Sequence, residues 1–393
     1  MATDTFLIDD SDRYARLRLI SWWEQERLSA ARVLVVGAGA LGNEVLKNLA
    51  LLGVGRIFVV DLDTVENSNL SRSVLFRETD EGKAKAVVAA REVSRLNSAV
   101  KVEGRRGNVI TDLGLGVFRA MDLVIGCLDN REARLWLNRS CWKVGIPWVD
   151  GAIQEIAGVM KVFVPPGGSC YECTMTEADY RLINMRYSCP LLKREDLLQG
   201  KVPTAPTISS IVAGLQTQEA LKLLHGFRDF AGKAMVVNGM ANNVYTTTFP
   251  RREGCLSHET YPDIEGLPLG AAGATAAQLF EAARARFGTG TAPLSLVLDR
   301  DLLAGLECPD CRLAKEVMRP LALVSHQEGI CGGCGQVMRT EIVSEVQEGT
   351  PLSGRRLGEL GVPRFDILRV VAGDESRFFC LDEDRAAALG AVQ

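Results

Sequence analysis

Three residues far apart in the chain, Arg72, Lys85 and Asp129, are the types that handling a nucleoside triphosphate requires. An arginine forks onto phosphate oxygens, a lysine adds a point charge, and a carboxylate suits Mg²⁺. They come in order, in "DLDTVENSNLSRSVLF", "EGKAKA" and "CLDN". Ahead of them "GAGALG" sets Gly37, Gly39 and Gly42 where a strand turns into a helix. Glycines there let phosphate approach the backbone, and the helix N-terminus favours an anion. Asp61 ends the next strand, 19 residues after Gly42, where an acid can bond ribose hydroxyls. A nicotinamide or flavin enzyme shares the glycines and Asp61 but has no need of the arginine, the lysine and the second acid. Each of those alone reads as a surface charge, and only the ordered set points to a triphosphate. Asp129 and Asn130 open a helix, where an acid ordinarily caps, but they also follow the strand "DLVIG" at the edge where such sheets bind ligands.

The cysteines carry a second chemistry. Of eleven, six fall in three CxxC pairs: Cys170/Cys173, Cys308/Cys311 and Cys331/Cys334. In a reducing compartment such pairs indicate metal more than disulfides. "CPDC" and "CGGC" stand 19 residues apart, a ribbon-like Cys₄ spacing for a closed structural zinc site. Cys127, Cys141 and Cys380 lie in strand or helix patterns and read as core.

The elements that must position these residues alternate. "RVLVVGAGALGNEVLKNLALLGV" predicts strand, turn and helix, and "GRIFVVDLD" a second strand. "GKAKAVVAAREVSRLN" is helical, "KVEGRRGNV" a strand, and "MDLVIGCLDN" a strand entering the helix after Asp129. "IPWVDGAIQEIAGVMKVFVPP" reads as sheet and turns. "PTAPTISSIVAGLQTQEALKLLHG" is a long helix that Thr204 or Thr207 can cap and Gly226 stops. The alternation predicts an α/β fold with a Rossmann-like, doubly wound, mostly parallel sheet. "EGLPLGAAGAT" marks a boundary, giving domains over 1–262 and 263–393. The second is a small α/β domain with a zinc knuckle at 308–334, a helix "AAQLFEAARARF", and strands "PLSLVLD", "RTEIVSEV", "FDILRVVAG" and "SRFFCLD" around a short helix "LSGRRLGELGV".

Composition excludes other classes. The 393 residues are 47% hydrophobic and 24% charged, as ordinary globular chains are, and the formal charge of −4 gives no basic face for nucleic acid. No apolar run reaches the roughly 18 residues of a membrane span. The first residues, "MATDTFLIDDSDRYARLR", are acidic where a signal peptide is basic, so the expected compartment is the cytoplasm.

"RYARLRL", "VLVVGAGALG", "VVDLDTVENSNLSR", "GKAKA", "CLDN", "IPWVDGAI", "CYEC" and "PTAPTISSIVAGLQTQEALK" together resemble the ThiF/MoeB/ubiquitin-activating-enzyme superfamily, from residue 13 to about residue 260. The resemblance implies adenylation of the C-terminal glycine of a ubiquitin-like protein with ATP and Mg²⁺. It assigns Asp61 to the ribose, Arg72 and Lys85 to the phosphates and Asp129 to Mg²⁺. Asp63, Asn69 and Asn130 line the site, and Arg16 reaches into a partner's site in a homodimer. Ser73 stands where the family usually has glutamine. In similar enzymes the crossover segment, here about 174–205, carries a cysteine that takes the acyl group as a thioester. Cys189 in "MRYSCPLLKRED" is that candidate, with Arg186, Lys193 and Arg194 to lower its pKa. The family also implies a second ligand pair for "CYEC"; "GCLSHE" supplies Cys255 and His258, making a Cys₃His zinc site. Two outcomes share this machinery: thioester formation on Cys189 with transfer to a conjugating enzyme, or sulfur-carrier adenylation of the thiamine or molybdopterin type. A non-catalytic partner subunit is a third reading, which the intact set of Arg72, Lys85 and Asp129 opposes.

Overall fold

The structure, a computed structural model, describes residues 11–184, 203–288 and 292–393. Two sheets organise it. The first sheet contains β1 (Arg32–Val36), β2 (Arg56–Asp61), β3 (Lys101–Arg106), β4 (Leu123–Gly126), β5 (Trp148–Gln154), β6 (Ala157–Phe163), β7 (Lys233–Asn238) and β8 (Asn243–Thr248). Their spatial order is β3-β2-β1-β4-β5-β6-β7-β8. The five strands from β3 to β5 run parallel, and β6, β7 and β8 continue antiparallel. Strand order reverses between β1 and β4, and ligands of such sheets bind at the carboxyl ends beside that point.

Apolar residues on both faces of each central strand explain the two helical layers. Val33 and Val35 of β1 and Ile57 and Val59 of β2 face one core with α2 (Ala40–Leu52) and α3 (Lys85–Leu96). Leu34, Val36, Phe58 and Val60 face a second core with α4 (Leu115–Arg119) and α5 (Arg131–Val144). The short α1 (Gln25–Ala30) precedes β1, and α6 (Glu177–Asn184) follows the "CYEC" turn. The long helix α7 (Pro206–Leu224) covers the first core. Neither Thr204 nor Thr207 caps it. Ala205 is the N-cap and Pro206 the first helical residue, where its missing N–H costs nothing. Thr204 instead pairs with Glu155 in a parallel bridge.

The second sheet joins β9 (Glu265–Leu267), β10 (Ser295–Glu307), β11 (Ala314–Pro320), β12 (Arg339–Gln347), β13 (Ile367–Ala372) and β14 (Glu375–Leu381), with α8 (Ala276–Phe287) against it and α9 (Arg385–Leu389) near the end. The stretch "LSGRRLGELGV" forms two 3-10 turns, Pro351–Gly354 and Leu357–Leu360, and not one helix. Gly354 and Gly358 within it lower helix propensity.

The two sheets share a core. Phe365, Ile367, Phe378, Cys380, Leu389 and Val392 pack into the cluster that holds Leu34, Phe58 and Leu137. Arg300 bolts the junction: its Nη1 donates to Asp366 Oδ2 (2.8 Å), Nη2 to Leu113 O (2.9 Å) and Nε to Ile110 O. Among the described residues no helix is long and apolar enough to cross a membrane.

Candidate functional site

The glycine turn follows β1 directly. Gly37 has φ +98°, and a Cβ there would collide with the carbonyl of Cys127. A Cβ at Gly42 would strike the carbonyl of Gly37, so these two glycines close the turn against its own helix. Gly39 differs. It is the N-cap of α2, no side chain caps the helix, and a Cβ there would meet nothing within 4 Å. Free first-turn N–H groups facing open space form a cradle that fits a phosphate.

Asp61 closes β2 against this turn. Its Oδ2 accepts the Ala38 N–H (2.7 Å) and its Oδ1 the Asp63 N–H (2.8 Å). Burial pushes its pKa up, opposed by those two N–H groups and the nearby Lys85 charge. Lys85, the first residue of α3, is mostly buried and sets its Nζ 2.9 Å from Asp63 Oδ2. Asp63 is exposed, so water screens this pair and an arriving phosphate can displace it at little cost.

The loop between β2 and α3 is tied in by Asn43, a buried residue of α2. Its Nδ2 donates to Ala38 O (2.7 Å), and its Oδ1 accepts the Leu75 N–H (2.8 Å). Asn69 is buried and accepts the Glu66 N–H through Oδ1 (3.0 Å). Arg72 donates from Nη1 to Ser68 O (2.8 Å) within its own loop. Ser73 is buried.

Across the switch point, every neighbour of Asp129 is held. Cys127 N–H donates to Val36 O (2.8 Å), joining the end of β4 to the end of β1. Gln216 Nε2, from α7, donates to Gly126 O (2.9 Å). Arg134, one turn into α5, donates from Nη2 to Leu128 O and to Gly151 O (3.1 Å). Asn130 is the N-cap of α5, its Oδ1 accepting the Ala133 N–H (2.8 Å). Asn130 therefore does the capping that an acid at a helix start would do. Asp129 is exposed, and its carboxylate makes no hydrogen bond or ion pair among the described residues. The Arg134 charge lies within electrostatic reach of it. An exposed carboxylate at the same sheet edge as the phosphate cradle fits Mg²⁺, which is commonly held by one or two carboxylates plus substrate phosphates.

The structure thus joins the glycine turn, Asp61, Asp63, Lys85 and Asp129 around one edge, with Asn69 and Arg72 on a loop anchored to it. Arg16 is exposed, and its side chain makes no hydrogen bond among the described residues. Cys189, with Arg186, Lys193 and Arg194, lies outside the described residues. Sequence reasoning missed Asn43, Arg134, Asp150 and Gln216. Asp150 carried a usable signal, since it stands at the end of the apolar run "IPWVD" as Asp61 and Asp129 stand after theirs.

Both cysteine groups converge. Cys170, Cys173, Cys255 and His258 place their ligand atoms within 4.8 Å of one another, as do Cys308, Cys311, Cys331 and Cys334. Cys170 Sγ lies 3.6 Å from the Sγ atoms of Cys173 and Cys255, and Cys173 Sγ lies 3.4 Å from His258 Nε2. In the second group, Cys308 to Cys334 and Cys311 to Cys331 are each 3.4 Å. Edges of about 3.8 Å belong to a tetrahedron with zinc–sulfur bonds near 2.3 Å, so both sets fit a closed structural zinc site. Glu172, between two of the cysteines, links the halves of the first set: Ser257 Oγ, Tyr180 OH (2.7 Å) and Arg139 Nη2 (3.1 Å) all donate to it. The His258 ring stacks on Trp142 with centroids 4.3 Å apart. Cys127, Cys141 and Cys380 are buried, as core cysteines are.

The ThiF family profile matches residues 11–257. The sulfur carrier protein adenylyltransferase of Thermus thermophilus is 33% identical over 262 residues, covering 63% of this chain and 90% of that protein. The ubiquitin-like modifier-activating enzyme 5 of Dictyostelium discoideum is 30% identical over 236 residues, covering 56% of this chain and 60% of that protein. Among solved structures, E. coli MccB with ATP superposes with a TM-score of 0.53 at 25% identity, over 64% of this chain and 74% of that chain. A profile match over more than half of the length, on a sheet with its glycine turn and acid at the switch point, has one meaning: the chain belongs to the ThiF family.

Proposed function

We propose that the protein adenylates the C-terminal glycine of a ubiquitin-like or sulfur-carrier protein. The observation that carries this reading is the presented carboxylate of Asp129 across the switch point from the open cradle at Gly39. The carrier's carboxylate attacks the α-phosphorus of ATP, the bond to the bridging oxygen breaks, and pyrophosphate leaves with the electron pair. An acyl-adenylate remains. Two anions must meet, so the site works by positioning and charge neutralisation. The α2 N-terminus and Lys85 hold phosphate oxygens, Arg72 adds a fork once it turns from Ser68 O, and Asp61 orients the ribose. Asp129 would hold Mg²⁺, which when bound neutralises phosphate charge and orients the leaving group. Arg16 of a second copy adds positive charge in a homodimer. Zinc in the Cys₃His and Cys₄ sets is structural. Beyond the catalytic unit, the zinc-bearing residues 263–393 form a docking or stabilising domain.

The acyl group then passes to Cys189 as a thioester and on to a conjugating enzyme. A specific observation favours a second ending, in which the adenylate becomes a sulfur donor. The Thermus thermophilus relative, matched over nine tenths of its length, is a sulfur carrier protein adenylyltransferase. Incubation with ATP, Mg²⁺ and carriers ending in glycine, run on a non-reducing gel, tests both. A thiol-sensitive adduct that disappears in Cys189→Ala supports the thioester. Carrier-dependent pyrophosphate exchange without an adduct supports the second ending. Absence of exchange with every carrier removes both.

A further inference from the structure

The loop 107–114, which follows β3, starts on the ribose acid and ends on the second sheet. At its start the Gly107 N–H donates to the carbonyl of Asp61 (3.0 Å), and Arg106 Nε to that of Leu62 (3.2 Å). Its far end is gripped by residues that lie beyond the stretch 11–257 matched by the ThiF profile. Arg300 Nη2 donates to Leu113 O (2.9 Å) and its Nε to Ile110 O. Its Nη1 donates to Asp366 Oδ2 (2.8 Å), and Asp366 Oδ1 accepts the Leu115 N–H (2.7 Å) at the start of α4. Phe365 O accepts the Gly116 N–H (2.9 Å). A Cβ at Gly114 or Gly116 would collide with the backbone of Phe365, so main chain rests on main chain here. The Arg300 and Asp366 side chains are only 5% and 3% exposed. A planar guanidinium on two carbonyls and a carboxylate fixes the angles between them, as a lysine could not.

The spatial order β3-β2-β1-β4 says what this loop adjoins. The phosphate cradle and Asp129 stand at the ends of β1 and β4, and Asp61 at the end of β2. A nucleotide with its phosphates at β1 and its ribose at Asp61 carries its base to the other side, over the end of β3. We propose that Arg300 and Asp366 are positioning residues for the base of ATP: through them the second sheet sets the loop against which the base lies. This role rests on the adenylation reading and gives residues 263–393 a part in nucleotide binding.

Titration calorimetry of the full chain tests it, with ATP and with inorganic tripolyphosphate, each with Mg²⁺; tripolyphosphate has the phosphates without ribose or base. The double variant Arg300→Met with Asp366→Asn removes both charges together, so neither is left buried alone. It is expected to bind ATP about tenfold more weakly and to bind tripolyphosphate as the native chain does. The KM for ATP should rise by the same factor with the maximal rate little changed. Unchanged ATP binding overturns the proposal, and so does an equal loss for both ligands, which is what a pair serving only the fold would give. Hydrogen exchange of the native chain needs no variant: ATP should slow exchange at the amides of residues 107–116, and tripolyphosphate should not. Equal protection by both, or by neither, overturns the proposal. If the native chain binds neither ligand, the adenylation reading itself falls and this role with it, whereas ATP binding that ignores the double variant removes this role alone.

Discussion

Arg134 and Asp150 face each other with Nε 3.1 Å from Oδ1, and Asp150 is almost wholly buried. The same guanidinium donates to the carbonyl of Leu128, one residue before Asp129. The pair is a brace. A buried ion pair adds little net stability, but its geometry fixes what it touches. Lys161, opposite Asp150 in the β5–β6 register, adds a second positive charge whose own pKa burial pushes down.

Arg134→Lys keeps the charge and loses the planar fork. The expected result is a fall of about 100-fold in the maximal adenylation rate with a small change in the KM for ATP, since a misplaced Asp129 costs orientation more than binding. Arg134→Ala also leaves Asp150 buried and unpaired, and should destabilise the fold by about 3–5 kcal/mol in chemical denaturation.

The two glycines before α2 should respond in opposite ways. Gly37→Ala meets both φ +98° and the Cys127 carbonyl, so it should lower stability by about 2 kcal/mol or more. Gly39→Ala has open space and should leave the melting temperature nearly unchanged. Its methyl group occupies the phosphate cradle, so ATP affinity should drop at least about tenfold by calorimetry.

Asp61 gives a pH signature. Its folded pKa lies above the unfolded value, so its ionisation costs stability as pH rises through that folded pKa, and the cost vanishes in acid below both values. Native stability should therefore fall as pH rises toward that folded pKa, whereas Asp61→Asn, which has no charge to bury, should lose that pH dependence, whatever the cost of setting its NH₂ against the Ala38 or Asp63 N–H. The same substitution removes an acceptor for the ribose and should raise the KM for ATP by about tenfold. Melting curves across pH and initial rates separate the two effects.

Metal analysis should find two zinc ions per chain. His258→Cys keeps four ligands and both metals. His258→Ala and Cys331→Ser should each lose one, with a lower Tm, because a closed zinc site contributes directly to folding. Backbone N–H groups of Cys334 and Gly333 turned toward Cys331 pull its thiol below the ordinary range, favouring the thiolate ligand.

The parallel sheet was legible because its strands are short apolar runs ended by glycine or an acid, as at Val36–Gly37 and Val60–Asp61. The Cys₄ set was legible because knuckle spacing is local, whereas Cys255 and His258 were joined to "CYEC" only through the family resemblance. Asn43, Arg134 and Gln216 were not. Each acts by holding a carbonyl or N–H of a residue distant in sequence or on another element, as Gln216 holds Gly126, and one sequence does not record such a meeting. β8 and β11 also escaped notice, because "NVYTTT" and "AKEVMRP" lie at sheet edges with exposed residues and lack a clean apolar alternation. The capping role went to Asn130, which leaves the Asp129 carboxylate free of it, a division that is seen only at the helix start itself.

Carrier-dependent exchange of labelled pyrophosphate into ATP, measured for the native chain and for Asp129→Asn, bears most directly on the account. It predicts exchange only with a carrier ending in glycine, none when that glycine is deleted, and a loss of about 1,000-fold or more in the variant while ATP still binds. Exchange in Asp129→Asn at the native rate would contradict it.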